Sequence, residues 1–332
     1  MKTLKCLTIL ALVLVFPLLA VSQIAPGYKV VDTWKLGGDG GWDYLTVDNE
    51  GRRLFIARST RVMVVDVDSG KSLGEIPDTP GVHGVALAPE FDRGFISDGG
   101  EDMVTIFDLK TLKPLNKVKV GTRPDAIVYD PFTKRVFTFN ARSKDTTAID
   151  AAKGEVVGKI DLGGKPEFAA SDDKGTMWAN IEDTSELVAF DPQKLAVKSR
   201  WKMAGCEEPT GLALDKKTRR LFAGCGGSKK MAIVDADSGK MIAMPAIGDG
   251  CDATAFDADQ NPAFASAGDG TITVIREDSA DKFSVAETVT TQKGARTMAL
   301  DPKTHNLITV TAKVLPERKV EPGTFVALVV KK

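Results

Sequence analysis

The feature that most restricts the fold of this chain is a unit of about 40 residues that recurs along almost its entire length. In each copy a short apolar run ends at Asp, or once at Ala, and a second apolar pair follows after a turn, as in Tyr44–Asp48 before Leu54 and Phe55. Neighbouring run-ending residues are 40 to 44 residues apart, which is the length of one four-stranded propeller blade. The run-ending residues are Asp48, Ala88, Asp130, Asp172, Asp215, Asp257 and Asp301.

A second strand-like segment follows six of the copies, as in Val62–Asp66 and Leu187–Asp191, and tight turns such as Asp68–Gly70 lead into an outer strand. Each unit therefore supplies four short strands rich in β-branched and aromatic residues. The sequence predicts an all-β fold, a seven-bladed β-propeller with four-stranded blades, because a ring covers both apolar faces of every blade.

The two ends of the repeat array complement each other. Phe325–Val330 ends the last copy without an outer strand after it, whereas Tyr28–Trp34 has the pattern of an outer strand with no blade before it. We therefore expect the N-terminal strand to complete the last blade and close the ring. An open array with frayed ends is the alternative.

Four segments carry a resemblance to a known family: Gly41–Asp48, Phe139–Ser143, Asn180–Asp183 and Gly294–Lys303. They resemble the YVTN-repeat β-propellers, which are related to the YncE-like bacterial proteins, over essentially all of residues 28–332. The resemblance implies the propeller fold. It implies no single activity, because a fold alone does not establish chemistry.

Residues 1–22 have the pattern of a secretory signal peptide, with a charged start at Lys2 and Lys5 and an apolar stretch over Leu7–Leu19. An uncleaved anchor is the alternative, but the apolar stretch is shorter than the roughly 20 residues that a spanning helix needs. We expect residues 23–332 to form one mature propeller domain, monomeric, periplasmic or extracellular, and without a membrane span.

The charge balance argues against nucleic acid as a partner. Removing Lys2 and Lys5 changes the formal net charge from −1 to −3 and leaves 42 basic residues against 45 acidic ones. Nucleic-acid-binding proteins show the opposite, a basic excess gathered on one face.

Propellers gather the residues that precede each innermost strand around one end of the central channel, here called the channel mouth. The position five residues before each run-ending residue predicts a mixed polar ring there, close enough for the groups to perturb one another's pKa values. The ring consists of Asp43, His83, Asp125, Glu167, Thr210, Asp252 and Arg296. Loop residues predicted on the same face form a second tier, namely Arg58, Asn140, Arg142, Asn180, Glu182 and Asp269.

The ring has a functional and a structural interpretation. As a ligand site it would use Arg296 to pair a carboxylate or phosphate and His83 to move a proton. In the alternative, the side chains only hydrogen-bond neighbouring blades and hydrate the channel.

Dedicated cofactor and catalytic motifs are absent from the sequence, so we predict no cofactor. Ca²⁺ remains open, since Asp43, Glu167 and Asp252 offer oxygen ligands, although no EF-hand spacing occurs. A zinc site with several histidines is disfavoured, because His83 and His305 are the only two and fall in different blades. No Gly-x-Ser-x-Gly elbow, Walker loop or dinucleotide fingerprint is present.

Three cysteines follow the predicted signal peptide, and in an oxidising compartment pairing is the default. Cys206 precedes the innermost strand of the fifth unit and Cys225 follows the next strand, so a hairpin brings them together. We predict a disulfide between Cys206 and Cys225. Cys251 either competes for Cys206 or stays free as a buried thiol; a redox or metal role for the three is the remaining alternative.

Three functions stay open at this stage. The first is a non-enzymatic binding or scaffold protein that holds a small ligand or a protein partner at the channel mouth. The second, implied by seven-bladed propellers that resemble this chain, is a lactonase-like sugar-acid hydrolase in which a mouth carboxylate activates water and Arg296 stabilises the oxyanion. The third is the propeller subunit of a quinone or haem oxidoreductase.

One insertion, Lys313–Gly323, departs from the repeat. Its charges and prolines predict a mobile loop beside the mouth, either a simple solvated excursion or a gating or docking element.

Overall fold

The computed structural model describes residues 27–316 and 319–332 as short antiparallel strands with little else. The predicted signal peptide lies outside the described residues. Within the described part, the strands form seven separate sheets of four strands each. The described part contains one short 3-10 helix with defined bounds, Pro89–Phe91. No described helix combines the length and the apolar character needed to cross a membrane.

Six of the sheets, or blades, are formed by consecutive strands. Blade 1 contains β2 (Leu45–Asp48), β3 (Arg53–Arg58), β4 (Arg61–Asp66) and β5 (Ser72–Ile76), and blade 2 contains β6 (Val82–Ala88), β7 (Arg93–Asp98), β8 (Met103–Asp108) and β9 (Pro114–Lys119). Blade 3 contains β10 (Pro124–Asp130), β11 (Arg135–Asn140), β12 (Asp145–Asp150) and β13 (Glu155–Asp161), and blade 4 contains β14 (Pro166–Ser171), β15 (Met177–Ile181), β16 (Glu186–Asp191) and β17 (Ala196–Lys202). Blade 5 contains β18 (Pro209–Asp215), β19 (Arg220–Cys225), β20 (Lys230–Asp235) and β21 (Met241–Ala243), and blade 6 contains β22 (Cys251–Phe256), β23 (Pro262–Ala267), β24 (Thr271–Ser279) and β25 (Lys282–Thr290).

Blade 7 combines strands from both ends of the described chain. It consists of β26 (Met298–Asp301), β27 (Asn306–Thr311), β28 (Val326–Lys331) and β1 (Lys29–Lys35). β1 pairs antiparallel with β28, from Lys29 opposite Lys331 to Lys35 opposite Val326. The first strand of each blade contacts the first strand of the next blade, and β26 contacts β2. The predicted seven-bladed propeller and its closure by the N-terminal strand are therefore confirmed.

The hydrophobic core is divided into seven clusters, one between each pair of neighbouring blades. Between blades 7 and 1, for example, Trp34, Trp42 and Phe325 pack together, and Trp178 packs between blades 4 and 5. Full burial of side chains of this size contributes about 1.5–3 kcal/mol each. The two faces of every sheet are apolar, so the ring is stable only when each blade has a neighbour on both sides.

Ionic contacts join neighbouring blades at the end of the channel opposite the mouth. The residue just before the second strand of several blades adopts a left-handed turn conformation, as in Arg52, Arg219 and His305. Arg52 Nη2 of blade 1 lies 2.7 Å from Asp301 Oδ2 of blade 7. Likewise, Arg219 Nη1 of blade 5 lies 3.0 Å from Asp172 Oδ2 of blade 4, and His305 Nδ1 of blade 7 lies 2.9 Å from Asp257 Oδ2 of blade 6. The turns that link the first two strands therefore also hold adjacent blades together.

The degenerate second copy closes its first turn differently from the others. In blade 3 the run-ending Asp130 accepts hydrogen bonds from the backbone N–H of Thr133, at 3.0 Å, and from its hydroxyl, at 2.5 Å. Ala88 has no such acceptor, and the 3-10 turn Pro89–Phe91 follows it, with the Asp92 N–H donating to Pro89 O at 3.0 Å. A backbone bond replaces the missing side-chain cap.

The predicted disulfide between Cys206 and Cys225 is present, with the two Cα atoms 5.2 Å apart. Cys251 is a buried free thiol, and burial raises its pKa, so the sulfur stays protonated and unreactive at neutral pH.

Candidate functional site

The polar ring at the channel mouth is built by a local irregularity of the innermost strands. In blades 2 to 6 the pairing between the first two strands shifts register at the ring residue, for instance between Val82 and Val85 around His83, and between Pro124 and Ile127 around Asp125. A bulge leaves its extra residue unpaired and redirects the side chain. Asp43 and Arg296 lie just before β2 and β26. In each blade the ring residue therefore lies outside the regular hydrogen-bonded pairing of the first two strands.

Blades 1, 2 and 3 contribute a tight cluster of two carboxylates and an imidazole. His83 Nδ1 lies 2.6 Å from Asp43 Oδ2 and 3.4 Å from Asp125 Oδ1. Burial works against protonation of His83, but the hydrogen bond to Asp43 and the charge of Asp125 outweigh it and raise the pKa of the imidazole. Burial raises the pKa of Asp125 to about 6; the His83 charge opposes this shift and that of Asp43 adds to it.

Glu167 of blade 4 is the most buried acid of the ring, with 9 % of its side chain exposed. Its Oε1 lies 2.7 Å from Lys165 Nζ, and its Oε2 accepts a hydrogen bond of 3.4 Å from the Tyr44 hydroxyl of blade 1. Burial and the nearby charge of Asp125 raise the pKa of Glu167 to about 9, although Lys165 opposes the shift. Glu167 therefore keeps its proton to a higher pH than an ordinary glutamate does.

Blades 6, 7 and 1 meet at an ion pair. Arg296 Nε lies 2.6 Å from Asp252 Oδ2, Arg296 Nη2 donates to Trp42 O at 3.2 Å, and the guanidinium carbon is 5.6 Å from the centre of the Trp42 ring. Burial raises the pKa of Asp252 against the effect of Arg296, and Asp43 contributes to the rise. Arg296 is thus already paired, and 39 % of its side chain remains exposed at the mouth.

Thr210, the ring residue of blade 5, directs its hydroxyl to the backbone. Its Oγ1 donates to Cys251 O of blade 6 at 2.8 Å. A neutral residue is therefore compatible with the fold at this position.

Several second-tier residues are buried within the structure. Arg58 is fully buried, donates to the carbonyls of Asp39 and Gly41 at 2.6 and 3.0 Å, and stacks 3.6 Å from the centre of the Phe325 ring. Burial lowers its pKa to about 10. Asn140 and Asn180 are also fully buried.

The amides of both asparagines are engaged inside the protein. Asn140 donates to Asp145 Oδ1 at 2.6 Å, and Asn180 donates to Thr210 O at 3.0 Å.

Asp269, another second-tier residue, is also engaged within the protein. It accepts hydrogen bonds from the Asp249 N–H at 2.8 Å and from the Thr271 hydroxyl at 2.7 Å.

Arg142 and Glu182 are the second-tier side chains that lie beside the ring. Glu182 pairs with Lys165, the lysine that also holds Glu167. Arg142 is exposed and lines a cavity of about 400 Å³ between blades 3 and 4, which Asp125 and Lys165 also line.

Sequence reasoning missed Tyr44 and Lys165, because it took one position from each blade. Tyr44 follows Asp43 directly, and Lys165 precedes Glu167 by two residues, so adjacency to the ring was the available signal. The Tyr44 ring lies 5.1 Å from that of Phe168, which joins blade 1 to blade 4 across the channel. A cavity of about 520 Å³ within the channel is lined mainly by apolar residues of the innermost strands, including Val85, Phe168 and Leu300.

Among the described residues, Asp43, His83 and Asp125 form a group at the mouth whose side chains could bind a divalent cation. Ligand atoms of Asp43, His83 and Asp125 all lie within 4.8 Å of one another. Two carboxylates and an imidazole suit several divalent ions. The oxygen set considered from the sequence, Asp43 with Glu167 and Asp252, is not among the triads that the described residues bring within this distance.

A second such triad, Asp257, Asp259 and His305, lies at the opposite end of the channel. There Asp257 accepts hydrogen bonds from the backbone N–H groups of Asp259 and Gln260, at 3.0 and 3.1 Å, so it also shapes the turn.

The insertion Lys313–Gly323 is fastened at its base. Lys313 Nζ pairs with Glu321 Oε2 at 2.6 Å, and the Gly323 N–H donates to Gly38 O at 2.8 Å. Residues 317 and 318 lie outside the described part, and the expected mobility of the loop stays a prediction.

Comparison with known proteins identifies the fold. No protein-family model matches the sequence, and no curated protein matches it. A chain in "Crystal Structure of Mitotic Checkpoint Complex" matches with a TM-score of 0.76 and 14% identity, over 97% of this chain and 99% of that one. "Structure of U3-55K" matches with a TM-score of 0.77 and 10% identity over 91% and 99%, and "Crystal structure of RRP9 WD40 repeats" with 0.76 and 9% over 92% and 97%. At these identities the likeness concerns the propeller architecture alone.

Proposed function

We propose that this protein is an exported propeller of the YVTN-repeat, YncE-like type that holds a small polar ligand or a protein partner at its channel mouth. One observation carries the proposal: six of the seven blades direct an ionisable side chain into the same partly buried ring. Burial of charged groups is unfavourable unless they are well paired. Thr210 indicates that the fold itself does not require ionisable residues there.

Two further features support parts of this proposal. A disulfide between Cys206 and Cys225 is typical of proteins that fold in an oxidising compartment, which favours the periplasm or the cell exterior. A structural neighbour occurs in a complex of proteins, which is consistent with a partner-binding role for this propeller.

The test is a thermal-shift and native mass spectrometry screen of metabolites and candidate protein partners. A ligand present at 100 times its Kd stabilises the folded protein by about 2.7 kcal/mol. We expect binding to weaken at least about tenfold in Asp43→Asn and Arg296→Gln. Lys303→Gln, which changes an exposed lysine at the opposite end of the channel, is the matched control and should bind as the unchanged protein does.

Two outcomes would remove the proposal. One is a screen in which nothing binds the unchanged protein. The other is a set of ligands whose affinity is the same in the mouth variants and in the control.

A second candidate function, hydrolysis of a lactone or related sugar-acid ester, is favoured by the pKa of Asp125 at about 6 beside His83. A carboxylate with this pKa suits a general base near neutral pH. Lactone turnover that rises with pH around 6 and is lost in Asp125→Asn would support it. Turnover at the same rate in Asp125→Asn would exclude this site.

A further inference from the structure

The cavity between blades 3 and 4 has more positive than negative charge. It measures about 400 Å³ and opens beside the ring. Ligand pockets in proteins begin at roughly 300 Å³. Four cationic side chains and two carboxylates line it together with Ala141, and these six are Arg123, Arg142, Lys144, Lys165, Asp125 and Asp183.

The carboxylates of the cavity already have partners. Asp183 Oδ2 lies 2.8 Å from Lys144 Nζ, and Asp183 Oδ1 accepts the Lys165 N–H at 2.7 Å. Asp125 lies beside His83. Lys165 is shared between Glu167 and Glu182. The carboxylates of this region therefore pair with the lysines and the histidine and not with the guanidinium groups of the two arginines.

The two arginines are the uncompensated charges. Among residues 27–316 and 319–332, the guanidinium groups of Arg123 and Arg142 take part in no ion pair or hydrogen bond, whereas arginines elsewhere in the propeller, such as Arg52 and Arg219, are paired. Arg123 lines the cavity together with Asp125 of the ring, so its guanidinium lies near the mouth. Its charge lowers the pKa of His83, against the larger effects of Asp43 and Asp125.

The backbone around both arginines is fixed. The Ala141 N–H donates to Arg123 O at 2.9 Å, and the Arg142 N–H donates to Thr122 O at 3.1 Å. The Arg123 N–H donates to Asp102 Oδ1 of the preceding blade at 2.8 Å. The segments that carry the two guanidinium groups are thus bonded to each other, which lowers the entropy lost when both groups bind one ligand.

The geometry points to an oxyanion site in this cavity, where Arg123 and Arg142 bind the carboxylate or phosphate of a small organic anion. Lys144 and Lys165 remain paired with the neighbouring carboxylates of Asp183, Glu167 and Glu182. The inference rests on the proposed function, because it names the charged group of the ligand held at the mouth. Guanidinium groups bind planar and tetrahedral oxyanions through paired N–H donors. Asp125, shared by the cavity and the ring, accepts a hydrogen bond from a hydroxyl or ammonium group on the rest of that ligand.

The experiment is a calorimetric titration with two probes, inorganic phosphate and malonate, at constant ionic strength set with chloride. The variants are Arg123→Gln, Arg142→Gln and the pair together. Lys29→Gln, which removes one exposed positive charge from the outer strand of blade 7, is the matched control. Circular dichroism and thermal melting establish that each variant is folded; Arg123 and Arg142 are exposed, so their melting temperatures should not change.

We expect at least one probe to bind the unchanged protein, with affinity about 5 to 10 times lower in each single variant and undetectable in the pair. The probe that binds more tightly shows whether the site prefers a phosphate or a carboxylate group. Failure of both probes to exceed chloride, or equal losses in Lys29→Gln and Arg142→Gln, would overturn the inference.

The two proposals can fail separately. A ligand from the screen that depends on Asp43 and Arg296 but not on Arg123 and Arg142 removes the oxyanion site and leaves the proposed function. Anion binding that depends on Arg142, with no ligand sensitive to Asp43 or Arg296, keeps the oxyanion site and removes the mouth as the binding site.

Discussion

Replacement of both Cys206 and Cys225 by Ala should destabilise the propeller by an amount that follows from chain length. The two cysteines are 19 residues apart. Closing a loop of this size lowers the entropy of the unfolded chain by roughly 11 cal/mol/K, which is about 3 kcal/mol at 25 °C. Both cysteines are buried, so loss of the sulfur atoms leaves a void that costs about 1 kcal/mol more.

This loss of unfolding free energy, about 4 kcal/mol in total, corresponds to a lower melting temperature. Unfolding entropy is about 2.1 cal/mol/K per residue, so a folded chain of about 300 residues changes its unfolding free energy by about 0.6 kcal/mol per degree near Tm. The double variant should therefore melt about 6 °C below the unchanged protein.

Urea denaturation with and without dithiothreitol separates the two contributions. The reductant should lower the stability of the unchanged protein by about 3 kcal/mol and have no effect on the double variant. Cys251→Ala is the control, because it removes a buried thiol and keeps the cross-link. The reasoning is refuted if full reduction, verified by mass, leaves the unfolding midpoint of the unchanged protein where it was.

Three other changes have defined outcomes. Arg58→Ala should cost about 3–5 kcal/mol in urea denaturation, because it leaves a cavity and unpaired buried carbonyls, whereas the exposed Arg276→Ala should stay within about 0.5 kcal/mol; similar values for both would contradict the structural role of Arg58. Glu167 has a pKa of about 9 when folded, above its unfolded value, so its stability contribution is complete below about pH 4.5 and is lost as pH rises toward 9. Glu167→Gln should therefore gain at least about 2 kcal/mol relative to the unchanged protein between pH 5 and 9, and parallel pH profiles would refute the shift. Tyr44→Ala should cost about 3–5 kcal/mol, whereas Tyr44→Phe, which keeps the contact with Phe168, should cost about 1 kcal/mol or less; equal losses in thermal denaturation would show that the ring contact is unimportant.

The blades could be predicted because their determinants are local and repeated. An apolar run such as Ala126–Asp130 with the turn after it specifies two paired strands wherever it occurs in the chain. Ring closure also followed from sequence, since Tyr28–Trp34 and Phe325–Val330 each lacked a neighbouring strand. Even the degenerate copy around Ala88 kept its strands, because a backbone turn replaced the missing carboxylate.

The individual side chains at the mouth were harder to predict, because their partners come from other blades. Sequence spacing placed Arg58 at the end of a second strand but could not show that the carbonyls of Asp39 and Gly41 take up its donors. The hydroxyl of Thr210 is likewise used by a carbonyl of the next blade. The pairing of Tyr44 with Glu167 joins residues 123 positions apart, a separation for which the repeat has no signal.

The pairing of β1 with β28 has a consequence for how the protein is made. Lys29 is among the first described residues to leave the ribosome, and its partner Lys331 is among the last. Blades 1 to 6 can form before β28 is available, but blade 7 and both of its interfaces require Val326–Lys331. A chain that lacks β28 therefore exposes the apolar faces of blades 1 and 6 and is a substrate for chaperones and proteases.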